Sequence, residues 1–121
     1  MSYSATGRFI IRIALMLALS AGMLIPASAQ DAVWIDVRSP REYRQGHIEG
    51  AINIPHGEIG HKVLQLVPNT FVEVHLYDAN LGTFAGIALE LMMEMGYQAV
   101  INEGGYDQVL ARQADQSAAE Q

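Results

Sequence analysis

The side chain in this sequence that is best placed to take part in a reaction is the carboxylate of Asp78, which directly follows a strand-like segment. An aspartate in such a place can act as a nucleophile or as a general base. Either role requires a partner that moves a proton or holds a metal, and no histidine stands beside Asp78 in the sequence. We therefore expect Asp78 to cap the following helix by accepting its backbone N–H groups.

Histidines and methionines raise the question of a metal site. The chain has four histidines, at His47, His56, His61 and His75. No two of them have a spacing that requires shared ligation, so we predict no zinc or copper site. Three methionines lie close together at Met92, Met93 and Met95. Because they fall at helical spacing against Ile87 and Leu91, we expect them to pack into the core. The sequence thus predicts neither a metal nor another cofactor.

The chain contains no cysteine, so thiol chemistry and disulfide bonds are both excluded. Half of its residues are hydrophobic and 17% are charged, which is typical of a globular protein. The length of 121 residues leaves room for one domain. Burial and hydrogen bonds alone must stabilise that domain.

Residues 1–29 have the order of segments found in a secretory signal peptide. Two arginines precede the apolar run 13–25, and Ala-Ser-Ala at 27–29 forms a small-residue cleavage motif. The run of about 13 residues is too short for a bilayer helix, which needs roughly 20. We predict cleavage after Ala29, export to the periplasm or the exterior, and no membrane anchor after cleavage.

The charge of the remaining chain limits its partners. Residues 30–121 carry five Lys and Arg against thirteen Asp and Glu, a net charge of −8. Such a surface repels phosphate backbones and anionic lipids, so we expect no nucleic-acid partner and no peripheral membrane attachment. A protein partner of unknown identity remains open, and we expect a monomer or a weak oligomer.

Short apolar segments alternate with helical ones after residue 30. The predicted strands are residues 32–37, 51–54, 71–77 and 99–101, and the predicted helices are residues 40–45, 59–67, 83–95 and 106–113. Ser39 and Glu42 form a capping box for the first helix, and Gly46 ends it. Gly104-Gly105 predicts a tight turn. Residues 114–121 are polar and predict a flexible tail.

The third helix is predicted to be amphipathic. We assign Ile87 and Leu91 to its apolar side and Glu90 and Glu94 to the opposite side. Strands that alternate with helices predict a mainly parallel sheet with helices on both faces. In such sheets ligands bind at the carboxyl ends of the strands, which places the loop from Asp78 to Gly82 where chemistry is expected.

Four segments together resemble a rhodanese domain of the single-domain, exported phage-shock type. They are WIDVRSPREY at 34–43, HIEGAINIP at 47–55, EMGY at 94–97 and NEGGY at 102–106. The resemblance covers nearly all of the chain after the leader. It implies a three-layer α/β/α fold with a mainly parallel central sheet over residues 30–113.

The residues that carry the first two motifs are interpreted as architecture and not as parts of an active site. They are Asp36, Arg38, Glu42, His47 and Gly50. Asp36 can accept hydrogen bonds from the backbone or from arginine at the end of its strand, and Gly50 permits a backbone turn. Ile48 and Ala51 should then face the core.

The resemblance also implies a cysteine directly after the central strand, which as a thiolate takes sulfur from thiosulfate and holds it as a persulfide. Tyr77 matches the residue that usually precedes this nucleophile, so the nucleophile position is occupied by Asp78. The loop equivalent to the active-site loop is Asp78, Ala79, Asn80, Leu81, Gly82 and Thr83. It lacks the usual lysine or arginine and is one residue longer than usual.

These departures predict a domain without sulfurtransferase activity that serves as a binding or regulatory module. One alternative is a thiosulfate sulfurtransferase that works by a route not visible in the sequence, and another is a structural envelope-stress protein. A cyanide–thiosulfate assay separates the first two, and a pull-down from periplasmic extract separates the first from the third. Phe84 is the residue near the loop that indicates a small apolar pocket or a partner surface.

Overall fold

The computed structural model describes residues 31–121, so the predicted signal peptide and its cleavage site lie outside the described part. The elements, in chain order, are β1 (Val33–Asp36), α1 (Pro40–Gln45), β2 (Ile52–Asn53), a 3₁₀ turn (His56–Glu58), α2 (Ile59–Leu66), β3 (Glu73–Asp78), α3 (Thr83–Glu94), β4 (Ala99–Gly105) and α4 (Tyr106–Ala119). No helix within 31–121 has the length and apolar character needed to cross a bilayer.

The strands form one parallel sheet in the order β2-β1-β3-β4. Strand β3 is central and pairs with β1 through Leu76 opposite Ile35 and with β4 through Val74 opposite Val100. Each parallel connection passes through helical residues, as the alternation of segments predicted. The predicted mainly parallel α/β architecture is confirmed.

The two faces of the sheet carry separate cores because successive strand residues point to opposite sides. Val74 and Leu76 of β3 belong to the larger cluster, together with Val63 of α2 and Met92 of α3. Tyr77 belongs to the smaller cluster on the other face. That cluster also contains Ile48, Ala51 and Val109, with Trp34 and Tyr106 packed against it.

Local signals place the first helix where it was predicted. The Ser39 hydroxyl accepts the backbone N–H of Glu42 at 3.2 Å, which is one half of the predicted capping box. The other half is replaced, because Glu42 Oε1 accepts the Ser39 hydroxyl at 2.9 Å and not the Ser39 backbone N–H. Pro40 begins the helix, where its missing N–H costs nothing. The helix ends at Gln45, and Gly46 caps it with a positive φ of 153°.

The predicted face of α3 is wrong. Ile87 is 56% exposed and Leu91 is also exposed, whereas Ala85, Ala88 and Met92 point into the core. At about 100° per residue, Ile87 and Leu91 lie on the same side of the helix as Glu90 and Glu94, and all four are exposed. Small alanines on the opposite side let the helix approach the sheet closely. The methionine prediction holds only in part, because Met92 is fully buried but Met93 is 55% exposed.

Two boundaries near the carboxyl end also differ from prediction. Strand β4 runs through Gly104 and Gly105 instead of ending in a tight turn, because Gly105 still pairs with Asp78 of β3. Helix α4 continues to Ala119, so residues 114–119 are helical and do not form a tail. Alanine and glutamine in this stretch favour helix, and the Ser117 hydroxyl donates to the Gln113 carbonyl at 3.0 Å.

Candidate functional site

The loop from Asp78 to Thr83 leaves the carboxyl end of the central strand and enters α3. Asp78 is the last residue of β3, and Thr83 is the first residue of α3. Strands on both sides support this position, since Asp78 pairs with Gly105 of β4 and Tyr77 pairs with Asp36 of β1. The loop therefore lies at the edge of a parallel sheet where ligands are commonly bound.

The carboxylate of Asp78 is surrounded by backbone N–H groups of its own loop. Its side chain is buried, with an exposed fraction of 1%. Oδ1 accepts hydrogen bonds from the amides of Asn80 and Gly82, both at 2.9 Å. Oδ2 accepts from Phe84 at 2.8 Å and from Ala85 at 3.0 Å. Asp78 thus satisfies four donors at the start of α3, which is the role that the sequence predicted for it.

Two residues with positive φ bend the loop so that these amides converge. Leu81 has a φ of 61°, which is uncommon for a residue with a side chain, and Gly82 has a φ of 82°. A Cβ atom at Gly82 would lie 2.6 Å from Oδ1 of Asn102 and 2.9 Å from Cα of Gly104. Asn102 also donates to the Gly82 carbonyl at 2.8 Å, which holds the loop against β4.

A cavity of about 300 Å³ opens beside Asp78. Its wall is formed by residues from the ends of β1 and β3, the start of α1, the 3₁₀ turn and the start of α3. They are Val37, Arg38, Ser39, Pro40, Glu42, Pro55, His56, Asp78, Ala79 and Phe84. Phe84 stacks on His56 with ring centroids 4.3 Å apart and remains 47% exposed. A pocket is therefore present beside Phe84, as the sequence analysis predicted.

Asp36 and Arg38 form a buried ion pair at the carboxyl end of β1. Arg38 donates through Nη2 to Oδ2 of Asp36 at 2.7 Å and through its backbone N–H to Oδ1 at 2.8 Å. Its Nη2 also donates to the Gly46 carbonyl at 2.6 Å, which ties the strand to the end of α1. Burial alone lowers the pKa of the Arg38 guanidinium, but the hydrogen bonds and charge of Asp36 raise it above its ordinary value.

Tyr77 connects the site to the second core, whereas the sequence analysis used it only to locate the nucleophile position at Asp78. Its hydroxyl donates to Oδ2 of Asp36 at 2.9 Å and accepts the backbone N–H of Ile48 at 3.0 Å. Burial raises the pKa of this phenol, and the charge of Asp36 adds to the effect. Tyr106 packs against the same ring, and the Arg38 guanidinium lies 4.2 Å from the Tyr106 ring centre.

The remaining motif residues lie on the scaffold around the site. His47 stacks on Tyr43 with ring centroids 3.7 Å apart and contacts the Tyr43 carbonyl through Nδ1 at 2.8 Å. Gly50 has a φ of 82°, which accommodates the turn before β2. Ile48 and Ala51 are buried, as expected. Neither His47 nor Gly50 lines the cavity.

The histidines lie in separate places. His56 is at the cavity and His75 is on β3, and among residues 31–121 no three His, Asp or Glu side chains form a group that could hold a metal ion. His75 has partners that the sequence did not indicate. It stacks on Trp34 at 4.5 Å, and its ring nitrogens contact Glu103 at 2.6 Å and Glu73 at 2.7 Å. Strand pairing brings Trp34 and Glu103 to His75, whereas Glu73 is two residues away on the same strand.

Comparison with known proteins gives the family. Residues 24–112 match the family described as the rhodanese-like domain. The chain belongs to this family. The rhodanese-like domain is also 42% identical over 90 residues to the thiosulfate sulfurtransferase PspE of Escherichia coli strain K12, a match that covers 74% of this chain and 85% of that protein.

Solved structures support the same assignment of fold. A rhodanese with anions from E. coli aligns with a TM-score of 0.61 and 42% identity, over 64% of this rhodanese-like domain's chain and 91% of the other. A rhodanese-related protein from Thermoplasma volcanium aligns with a TM-score of 0.53 and 30% identity, over 61% and 71% of the two chains. The family therefore includes relatives named for sulfur transfer, whereas this chain has no cysteine.

Proposed function

We propose that this rhodanese-like domain does not transfer sulfur and acts as a binding or regulatory module. The observation that carries the proposal is the Asp78 carboxylate, which accepts four backbone N–H groups within its own loop. We place Asp78 at the position that a cysteine holds in active rhodaneses. A carboxylate cannot store sulfane sulfur as a persulfide, and the chain has no thiol elsewhere to replace it.

The loop amides support the same proposal. Converging N–H groups at a helix start stabilise negative charge, and that is how a rhodanese loop would hold a sulfur anion. Here the negative charge comes from the protein itself, at 2.8–3.0 Å from each donor. A second anion at the same place would face an occupied set of donors and a like charge. The loop is therefore built to be stable without a substrate.

The test combines mass spectrometry and an activity assay. After incubation with thiosulfate, the intact mass of the purified domain should be unchanged, because no thiolate is present to take up sulfur. Thiocyanate release from thiosulfate and cyanide should equal the blank without protein. An adduct of one sulfur atom, or turnover above the blank that depends on the protein, would overturn the proposal.

We also infer that the domain is exported and begins near Gln30. The inference is supported by the order of basic, apolar and small residues in the first 29 positions. N-terminal sequencing of the protein recovered from a periplasmic fraction tests it. If the recovered protein begins at Met1, the inference that the domain is exported and cleaved is wrong. A pull-down from the same fraction with the full domain then tests for a protein partner.

A further inference from the structure

Most of the groups beside Asp78 that could bind an anion already have an acceptor. The amides of Asn80, Gly82, Phe84 and Ala85 donate to Asp78. The guanidinium of Arg38 donates to Asp36 and to the Gly46 carbonyl. An anion that bound to these donors would have to displace Asp78, Asp36 or the Gly46 carbonyl. Only Nη1 of Arg38 and the ring of His56, which stacks on Phe84, are side-chain donors of the wall without an acceptor among the described residues.

Carboxylates leave the wall negatively charged. Oε1 of Glu42 accepts the Ser39 hydroxyl at 2.9 Å, and no described residue donates to its second oxygen. The charge of Arg38 is balanced by Asp36, which leaves Glu42 and Asp78. The starts of α1 and α3 offset these charges by roughly half an elementary charge each. Two carboxylates exceed that offset, so a cation is the better match.

The shape and the apolar part of the wall restrict the cation further. A volume of about 300 Å³ is at the lower end of ligand pockets, so it suits one side chain or a small amine and not a large cofactor. Pro40, Pro55 and the ring of Phe84 line the same space. They can contact a hydrocarbon stem, and the aromatic ring can face a positive charge.

We propose that this cavity binds an organic cation, namely a guanidinium or ammonium group on an apolar stem that pairs with Glu42. The inference rests on the proposed function, because it names the ligand class of the binding module at the same loop. The two proposals are tested by separate measurements, because sulfur transfer and cation binding are assayed independently.

The experiment is a titration followed by ¹H–¹⁵N correlation spectra of the full mature domain. Butylguanidinium should shift the amides of Glu42, Ala79 and Phe84 in a saturable manner at millimolar concentration. Butylurea has nearly the same shape without the charge and should bind about two- to fivefold more weakly, the ratio that one partly exposed ion pair provides. Thiosulfate should leave these amides unchanged.

Matched variants locate the contact. Glu42→Gln keeps a side-chain oxygen that can accept the Ser39 hydroxyl, and it should weaken the binding of butylguanidinium about two- to fivefold. Glu49→Gln removes one exposed charge away from the cavity and should leave the affinity unchanged. Equal affinity for butylurea, or saturable thiosulfate shifts at the same amides, would overturn the cation proposal. Sulfur uptake would instead overturn the proposed function, whatever the cavity binds.

A protein side chain and a free polyamine are the two sources of such a cation, and two more probes separate them. Ile87 and Leu91 are exposed on α3, the helix that carries Phe84, where a partner's apolar residues can reach them. A peptide with arginine between leucines should bind more tightly than spermidine if the source is a protein, and Ile87→Ser should remove that advantage. Tighter binding of spermidine supports the cation proposal with a free amine as the ligand.

Discussion

The hydroxyl of Tyr77 donates a 2.9 Å hydrogen bond to Oδ2 of Asp36, although the two residues are 41 positions apart in the chain. Both side chains come from the carboxyl ends of adjacent parallel strands, where Asp36 pairs in register with Tyr77. The same carboxylate binds Arg38, and the same hydroxyl accepts the N–H of Ile48. One buried contact therefore joins β1, β3 and the segment before β2.

Replacement of Tyr77 by phenylalanine should destabilise the domain by about 1–3 kcal/mol. The change leaves the buried N–H of Ile48 without its acceptor and removes one donor from Asp36. Urea unfolding followed by circular dichroism measures the difference. Tyr106→Phe is the matched control, because no described residue bonds its hydroxyl, and it should change the stability by less than about 0.5 kcal/mol. Equal effects of both changes would contradict the assigned role of Tyr77.

Asp78→Asn should be more costly than its small change in shape suggests. The amide NH₂ would face the N–H groups that one carboxylate oxygen now accepts, from Phe84 and Ala85. Two donors would lose their acceptor, so we expect a loss of roughly 2–4 kcal/mol in the free energy of unfolding. Asp115→Asn changes an exposed aspartate of α4 and serves as the control. A similar small loss in both variants would show that the loop does not depend on the Asp78 charge.

Asp78→Ala should create an anion site that the natural protein lacks. The variant frees the four loop amides, which then have room for a sulfate or thiosulfate oxygen. An anion tenfold above its Kd stabilises the folded state by about 1.4 kcal/mol, or several degrees in Tm for a domain of this size. Thermal melts with sodium sulfate test this, with sodium chloride at matched ionic strength as the reference. Equal sulfate-specific shifts for the variant and the natural protein would be evidence against it.

Asp78→Cys should form a persulfide slowly but should not become an efficient sulfurtransferase. The thiolate would gain the start of α3, which favours its anionic form. No lysine or arginine lies between Ala79 and Ala85 to attract thiosulfate. A missing transition-state donor typically costs about 100- to 1000-fold in rate. The rate of thiocyanate release should therefore stay about 100-fold or more below that of an ordinary single-domain rhodanese. Equal rates would contradict this prediction and would mean that Asp78 is the only residue that prevents activity.

Stability should fall in alkaline solution as buried tyrosines are forced to ionise. Burial raises the pKa of Tyr77 and of Tyr97 in the folded state. In the unfolded chain both phenols lose their protons near pH 10. Their contribution to stability is thus complete below pH 10 and is lost as the pH rises towards the folded-state values. Tyrosinate absorbance at 295 nm should show these two side chains titrating only as the domain unfolds, and their titration near pH 10 in the folded protein would refute this.

Much of the fold was predictable because its signals act over a few residues. Ser39, Pro40 and Gly46 mark the start and end of α1, since capping and backbone conformation are decided by neighbours in the chain. The alternation of β-branched segments with helical ones was enough for a parallel α/β sheet. The absence of cysteine, and with it the absence of thiol chemistry, can be read directly from the residues.

Only the tertiary structure determines the contacts between residues that are far apart in the chain. The helical period already places Ile87 of α3 on the side that carries Glu90 and Glu94. The close fit of Ala85 and Ala88 against the sheet then leaves Ile87 exposed despite its apolar side chain. Strand register brings Asp36 to Tyr77, and packing brings His56 onto Phe84 at the cavity. These contacts join residues far apart in the chain. Because the packing of whole helices and strands sets their geometry, the spacing of residues in the sequence does not predict them.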